Sequence, residues 1–349
     1  MTLSDRLFRD AAGALELYTI YLGERLGLYR ALADGVPVTP AELAARTGTV
    51  ERYLREWLEQ QAAAGLLAVE DAGAEENARR YRLPAEHVGV LADRDDVDYG
   101  AQQGIEIARV ARQLPALVEV FRAGGAPPAL PWEPEGRAEP NRARFLNLLG
   151  QEWLPAVKDV HERLRADPPA RVADIACGTG WSSIALAKAY PAITVHGLDL
   201  DERAIEVAGR NAEAEGMADR VTFSARDAGE LAGAGFDLVM IMEALHDMTR
   251  PVEVLRTLRG LLAEGASLIV ADSAVADEFS APASPRDQYE YGWSVLACLP
   301  GAMGDPKTAA TGTVMRASTL RRYAGEAGFA EVEILPITTD YWRFYRLVP

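Results

Sequence analysis

Apolar side chains recur at helical spacing through residues 12–33, AGALELYTIYLGERLGLYRALA, and occupy more than one face, as in a helix packed against several partners. Beyond it the pattern breaks into shorter pieces. Thr39 ahead of Pro40 predicts a capped helix over 40–46: a threonine hydroxyl satisfies a free N–H of the first turn, and proline is preset for the first helical position. Gly48 and Thr49 turn the chain into a helix over 50–64, which Gly65 stops. Residues 66–70 and 80–83 read as two strands joined by a polar tip, 71–79. Together these pieces make a winged helix-turn-helix layout. A helical pattern returns over 95–117. A Gly- and Pro-rich loop, with Trp132 as its expected anchor, covers 124–140, and 141–164 is helical with a break near Pro155.

Asp167, Pro168 and Pro169 interrupt any helix and mark a boundary, after which short apolar runs alternate with helical segments. Strands are expected over 172–176, 193–198, 221–224, 236–242 and 267–271, and helices over 181–190, 201–215, 249–262 and 318–327. The run FDLVMIM at 236–242 is apolar throughout, which suits a strand buried on both faces. Two closing strands are expected over 331–336 and 341–347. The stretch from Arg171 to Asp199 runs strand, Gly-rich turn, helix, strand, acid: the nucleotide-binding half of a doubly wound α/β sheet. The expected organisation is 1–92 as a winged-helix domain, 93–168 as a helical linker and cap, and 169–349 as the α/β domain.

Each position in that stretch has its own task. Gly178 and Gly180 let a ligand lie against the backbone, and the helix that starts near Trp181 aims its N–H groups at it. Asp199 is placed to accept hydrogen bonds from a ribose diol. A dinucleotide fingerprint would carry a third glycine where Ser183 stands, and no Gly-Lys-Ser or Gly-Lys-Thr follows to cradle phosphates.

Composition narrows the partners. The net charge of −16 disfavours nucleic acid, and the helix over 50–64 sets Glu51, Glu56 and Glu59 against only Arg52 and Arg55 where a groove-reading helix is basic. Cys177 and Cys298 are too few and too far apart for a disulfide framework or a metal knuckle, so no metal is expected. The opening residues MTLSDRLFRD lack a basic segment followed by an apolar core, and no run approaches a membrane span; a reducing cytoplasm is the expected setting.

The loop motif D-x-A-C-G-T-G, beginning at Asp174, resembles the first motif of class I S-adenosylmethionine (SAM) dependent methyltransferases, with Ala176 in place of the usual first glycine. The N-terminal layout resembles that of winged-helix small-molecule O-methyltransferases. The runs DIACGTGWSS, ALHD, YGWSVLACLP and GTVMR resemble those of an actinobacterial and mycobacterial group of such enzymes. The resemblance implies a seven-stranded Rossmann-like sheet whose final strand is antiparallel, a homodimer formed through the N-terminal domain, and methyl transfer to a small molecule, most readily at oxygen or nitrogen. It implies cofactor contacts at Asp174, Ala176, Gly178, Gly180 and Trp181, with Asp199 and Leu200 at the ribose. Asp227 and Ala228 would meet the adenine, and Met242 and Glu243 would line the same edge.

His246 in Leu245-His246-Asp247 corresponds to the general base of the resembled enzymes and Asp272 to the carboxylate that flanks it; the second acid common in those enzymes is missing, since Val314 and Met315 occupy the nearby positions. A positioning His is the alternative. Tyr21, Trp153, Tyr291 and Trp293 are the expected substrate contacts, the last two lying in a long aromatic-rich connection between Asp272 and Arg316. Other readings stay open at this point: a SAM-binding regulator that reads DNA, a SAM enzyme catalysing a non-methylating displacement, and an NAD oxidoreductase.

Overall fold

A computed structural model describes residues 1–130, 141–231, 233 and 235–349, so the expectation for Trp132 lies outside the described residues. The chain divides into two compact units, Met1–Arg112 and Gln113–Pro349, and the expected linker and cap region 93–168 is shared between them.

In the first unit, α1 (Leu3–Arg25) begins earlier than the apolar pattern suggests because Thr2 and Asp5 form a reciprocal capping box. The single helix expected over 12–33 is in fact two. Gly27 takes a φ of 68° and α2 (Leu28–Ala31) follows. Packing explains the break: the Tyr29 and Trp57 rings lie 2.5 and 2.7 Å from where a Cβ on Gly23 would stand, so Tyr29 folds back onto a face that only glycine leaves open. Then come α3 (Pro40–Thr47), boxed by Thr39 and Glu42, and α4 (Glu51–Ala63). The antiparallel pair β1 (Ala68–Val69) and β2 (Tyr81–Arg82) forms the wing. An unanticipated α5 (Ala85–Leu91) precedes α6 (Gln102–Ala111). Leu28, Leu32, Leu43, Leu54, Leu58 and Leu83 centre the core of this unit. Leu28, within the apolar pattern of 12–33, is fully buried, whereas Leu3, Leu7, Phe8, Leu15, Leu22 and Leu26 are exposed.

The second unit opens with α7 (Leu114–Ala123), so the helix expected over 95–117 is divided at Pro115, which starts a new helix. After α8 (Arg142–Arg144) the chain runs as a π-helix over Phe145–Trp153 and, past Pro155, as α9 (Lys158–Arg165). The alternating half follows: β3 (Arg171–Ile175), α10 (Trp181–Ala189), β4 (Thr194–Asp199), α11 (Glu202–Ala214), β5 (Val221–Ala225), β6 (Phe236–Met242), α12 (Pro251–Leu261) and β7 (Leu262–Ser273). Helices α13 (Pro285–Trp293), α14 (Leu299–Ala302) and α15 (Ala317–Ala327) lead to β8 (Glu331–Ile334) and β9 (Trp342–Val348).

These strands form a seven-stranded sheet in the order β5-β4-β3-β6-β7-β9-β8, parallel except for β9, which is antiparallel to both neighbours. Because side chains alternate across a strand, Val172 and Met240 join one core, and Ala173, Ile175, Val239 and Ile241 the other. The chain leaves β3 toward β4 and β5, then returns to pair β6 on the other side of β3. That reversal opens a crevice at the carboxyl ends of β3 and β6, where open α/β sheets hold their ligands. Among the described residues no helix is long and apolar enough to cross a membrane.

Candidate active site

The turn from β3 into α10 is held by two acids. Asp174, almost completely buried, accepts from the Ser182 and Ser183 hydroxyls of the first turn of α10, each at 2.6 Å. Asp199, half-buried at the end of β4, takes the Gly178 N–H on Oδ2 and the Asp201 N–H on Oδ1, both at 2.9 Å. Burial, helped by the nearby Asp199 charge and opposed by the two serines, raises the Asp174 pKa to about 6. Gly178 has a φ of 54° with nothing within 4 Å of a virtual Cβ, so its backbone faces open space. Gly180, at φ 86°, is filled from behind by the Phe223 ring, 2.6 Å from a virtual Cβ. Ala176 adopts φ 57° and Glu243, just past β6, φ 54°. Two non-glycine residues in the left-handed region at one sheet edge are costly, and such strain gathers at functional sites.

The other expected cofactor positions lie at the carboxyl ends of the neighbouring parallel strands or start the helix after β3. Trp181 is buried with its Nε1 unpartnered, as is the Thr179 hydroxyl, and the Arg142 guanidinium lies 4.4 Å over the Trp181 ring. Asp227 accepts the Gly229 N–H at 2.8 Å and caps a short 3-10 turn that buries Ala228. Leu200 is exposed and Met242 buried. Glu243 accepts from Asn141 Nδ2 at 2.5 Å; burial pushes its pKa up, against the pull of His246, Asn141 and the Trp342 indole.

Beside this edge, strands β6 and β7 bring His246 and Asp272 together. The imidazole Nδ1 lies 2.7 Å from Asp272 Oδ1, and both side chains are buried. A carboxylate can only accept, so Nδ1 carries a hydrogen toward Asp272 and Nε2 is the nitrogen at which the ring gains or loses its second proton. The same Oδ1 accepts the Ser273 N–H at 2.9 Å, while Oδ2 is buried without a partner. Burial opposes the charged imidazolium, but Asp272 outweighs it, with help from Cys298 and Asp247, and holds the His246 pKa well above its ordinary value. Asp247 Oδ1 stands 3.4 Å from Nε2.

The other expected substrate residues lie on separate elements. Trp153 is buried among Tyr341, Trp342 and Phe344, with ring centroids 6.5, 5.5 and 5.2 Å away, as a member of the aromatic core. Tyr291 is half-buried, its hydroxyl accepting from Arg316 at 3.1 Å, and Trp293 stands edge-on to Tyr289 at 6.0 Å. Tyr21 belongs to α1 of the first unit. Sequence reasoning passed over Ser182, Ser183 and Asn141. The serines carried a signal, two hydroxyls in the first helical turn facing back toward a strand acid; Asn141 carried none.

This sheet and loop define the class: the second unit has the fold of a class I methyltransferase. Residues 166–319 match the family described as a methyltransferase domain, and residues 13–93 the Rv2258c-like winged helix-turn-helix domain. The chain joins these two modules. Among curated proteins it is 32% identical over 132 residues to methyltransferase GfsG of Streptomyces halstedii, covering 37% of this chain and 47% of that one. It is 36% identical over 104 residues to 27-O-demethylrifamycin SV methyltransferase of Amycolatopsis mediterranei, with 29% and 38% covered. The chain thus spans about half the length, or less, of these two relatives. Human N-acetylserotonin methyltransferase, solved in complex with SAM, superposes with a TM-score of 0.74 at 16% identity over 100% of this chain and 98% of that one.

Proposed function

We propose that the protein transfers the methyl group of SAM to an oxygen or nitrogen nucleophile of a small molecule, with His246 as general base and Asp272 as the group that orients it. The observation that carries this reading is the buried 2.7 Å His246–Asp272 pair on the sheet edge that also bears the glycine turn and its two acids. The residues present fit an adenosyl group with an amino-acid tail: open space at Gly178, unpartnered buried donors at Trp181 and Thr179, and a carboxylate at the end of β4. When bound, SAM supplies a methyl carbon made electrophilic by a positively charged sulfur.

The chain's own residues do the rest. Each oxygen of Asp199 is steadied by one backbone N–H and has lone-pair capacity left for a ribose hydroxyl. Asp227, fixed by the Gly229 N–H, would accept from the adenine amine. Asp174, the acid nearest the start of α10, would face the positively charged tail, with Ala176, Leu200, Ala228, Met242 and Glu243 completing the cofactor edge. His246, once its Nε2 proton has left to solvent, would take the acceptor proton at Nε2 while Asp272 stabilises the imidazolium, a contribution of about 10²–10⁴ in rate. Tyr291 and Trp293 are our substrate candidates in the connection after β7.

The winged helix is read as an assembly module. Both arginines of α4 are committed, Arg52 to Glu56 at 2.7 Å and Arg55 to Glu76 at 3.0 Å, which argues against phosphate contacts. The exposed Leu3, Leu7, Phe8, Leu15 and Leu22 of α1 form an apolar surface that suits a homodimer. Light scattering is expected to give twice the chain mass; a monomer at micromolar concentration, unchanged in Phe8→Glu, would contradict the dimer.

The acceptor is to be found by incubating the protein with labelled SAM and cell extract. With that acceptor, His246→Ala is expected to lose at least about a hundredfold in kcat with SAM affinity retained. A loss under about tenfold would remove the base assignment. Calorimetry with SAM and with NAD separates an oxidoreductase from this reading.

A further inference from the structure

We propose that His246, Asp247 and Cys298 form a binding site for a zinc ion, with its fourth coordination position open. One ligand atom from each of the three residues lies within 4.8 Å of the other two. His246 Nε2 and Asp247 Oδ1 are 3.4 Å apart. Metal bonds of about 2.0–2.2 Å arranged tetrahedrally put neighbouring ligand atoms roughly 3.3–3.6 Å apart, so that pair already spans one edge of a zinc tetrahedron. An imidazole nitrogen, a carboxylate oxygen and a thiol sulfur make a mixed donor set suited to zinc, and three protein ligands with a vacant fourth position are the arrangement of exchangeable rather than closed structural sites.

Two further observations point to a ligand. First, Nδ1 of His246 is engaged by the buried Asp272 at 2.7 Å, which leaves Nε2 as the coordinating atom and holds the ring in place, the outer support that metal-binding imidazoles use. Second, the Thr313 hydroxyl is buried and without a partner within ordinary hydrogen-bond geometry, and it adjoins Cys298. A neutral thiol gains little from that neighbour, whereas a metal-bound thiolate gains a donor. Cys298 ends a short π-helix, Ser294–Cys298, a local distortion that recurs at functional sites. On binding, the Cys298 thiol proton and the proton that a charged His246 carries on Nε2 leave to solvent, and sulfur and nitrogen each donate an electron pair to the ion, with no change of oxidation state.

The proposal adds a consequence for catalysis that rests on the methyltransferase reading: the Nε2 lone pair given to zinc is the one a general base would use, so the loaded protein would be inhibited. Metal binding itself does not depend on that reading.

The full chain, stripped with a chelator, is titrated with Zn²⁺ against a chromophoric competitor, and with Co²⁺ as an optical probe. One zinc per chain is expected, together with a tetrahedral cobalt spectrum that includes a sulfur-to-cobalt charge-transfer band. Cys298→Ser should abolish that band and weaken zinc binding by at least about tenfold; Asp247→Asn should weaken binding and keep the band. Cys177→Ser should leave zinc affinity unchanged. Absence of saturable zinc binding, a band that follows Cys177, or wild-type affinity in both site variants would overturn the site. Circular dichroism checks each variant, and if Cys298→Ser does not fold, Asp247→Asn with the wild-type cobalt spectrum decides. Zinc bound without inhibition of methyl transfer would sink the base assignment and leave the metal site standing.

Discussion

Asp174 is expected to weaken the fold it belongs to. Its carboxyl is buried and its pKa stands at about 6 against an ordinary 3.8. At about 1.4 kcal/mol per pKa unit, that difference is a penalty of roughly 3 kcal/mol on the ligand-free fold at neutral pH. Asp174→Asn keeps the size of the side chain, and its carbonyl oxygen can still accept from Ser182 and Ser183. The variant should therefore unfold later than the wild type at pH 7.5, by about 1–3 kcal/mol, or several degrees for a unit of this size. The sign with pH follows from proton binding. Below 3.8 the carboxyl is protonated in both states and costs nothing. Between 3.8 and about 6 the folded state holds a proton that the unfolded state has released, so stability falls as pH rises, and above about 6 the full penalty applies. The advantage of Asp174→Asn should be close to absent at about pH 3 and nearly complete by about pH 7. Urea midpoints at four or five pH values would measure it, with SAM added in a parallel series. In that series the ranking should invert, because the wild-type carboxylate gains a positively charged partner that the amide does not. An Asn variant no more stable than wild type at pH 7.5, or an advantage that does not change with pH, would refute the argument that burial penalises this acid.

Asp199→Ala should weaken SAM binding by roughly 1.5–3 kcal/mol by calorimetry, since it removes a charged acceptor; unchanged affinity would withdraw the ribose assignment. Ala176→Gly should be neutral or stabilising by up to about 1 kcal/mol, because at φ 57° the relief of left-handed strain offsets the added entropy of the unfolded chain; a clear loss of stability would show that the Ala176 methyl packs. Gly180→Ala should cost about 2–4 kcal/mol in urea unfolding, from left-handed φ and the collision with Phe223; a loss below about 1 kcal/mol would mean that the ring moves aside.

Much of this protein is legible one element at a time. The expected helices at 40–46 and 50–64 and the strand at 236–242 agree with the structure to within a residue or two at each end, because caps, glycine stops and apolar runs act on neighbours only a few positions away. The glycine turn with its two acids is local in the same sense: strand, loop, helix and strand follow without interruption, and Asp174 and Asp199 are both delivered to the turn by adjacent parallel strands. The pairing of His246 with Asp272 is implied by the family resemblance, and the parallel neighbours β6 and β7 deliver it.

Tertiary structure decided what depends on distant pairing. The insertion of β9 between β7 and β8 is set by strand register, for which the sequence pattern holds only a family likeness. The break at Gly27 arises because Tyr29 must pack against Gly23 and Trp57, a demand invisible to a helical periodicity that runs through the site. Asn141 meets Glu243 across 102 positions, and Cys298 meets His246 across an even less predictable path through a π-helix. Propensity and periodicity are properties of a few adjacent residues, whereas a contact between remote segments is fixed only when the whole core has chosen one packing. The elements and the nucleotide turn were therefore written in the sequence, and the company kept by His246 was settled by the fold.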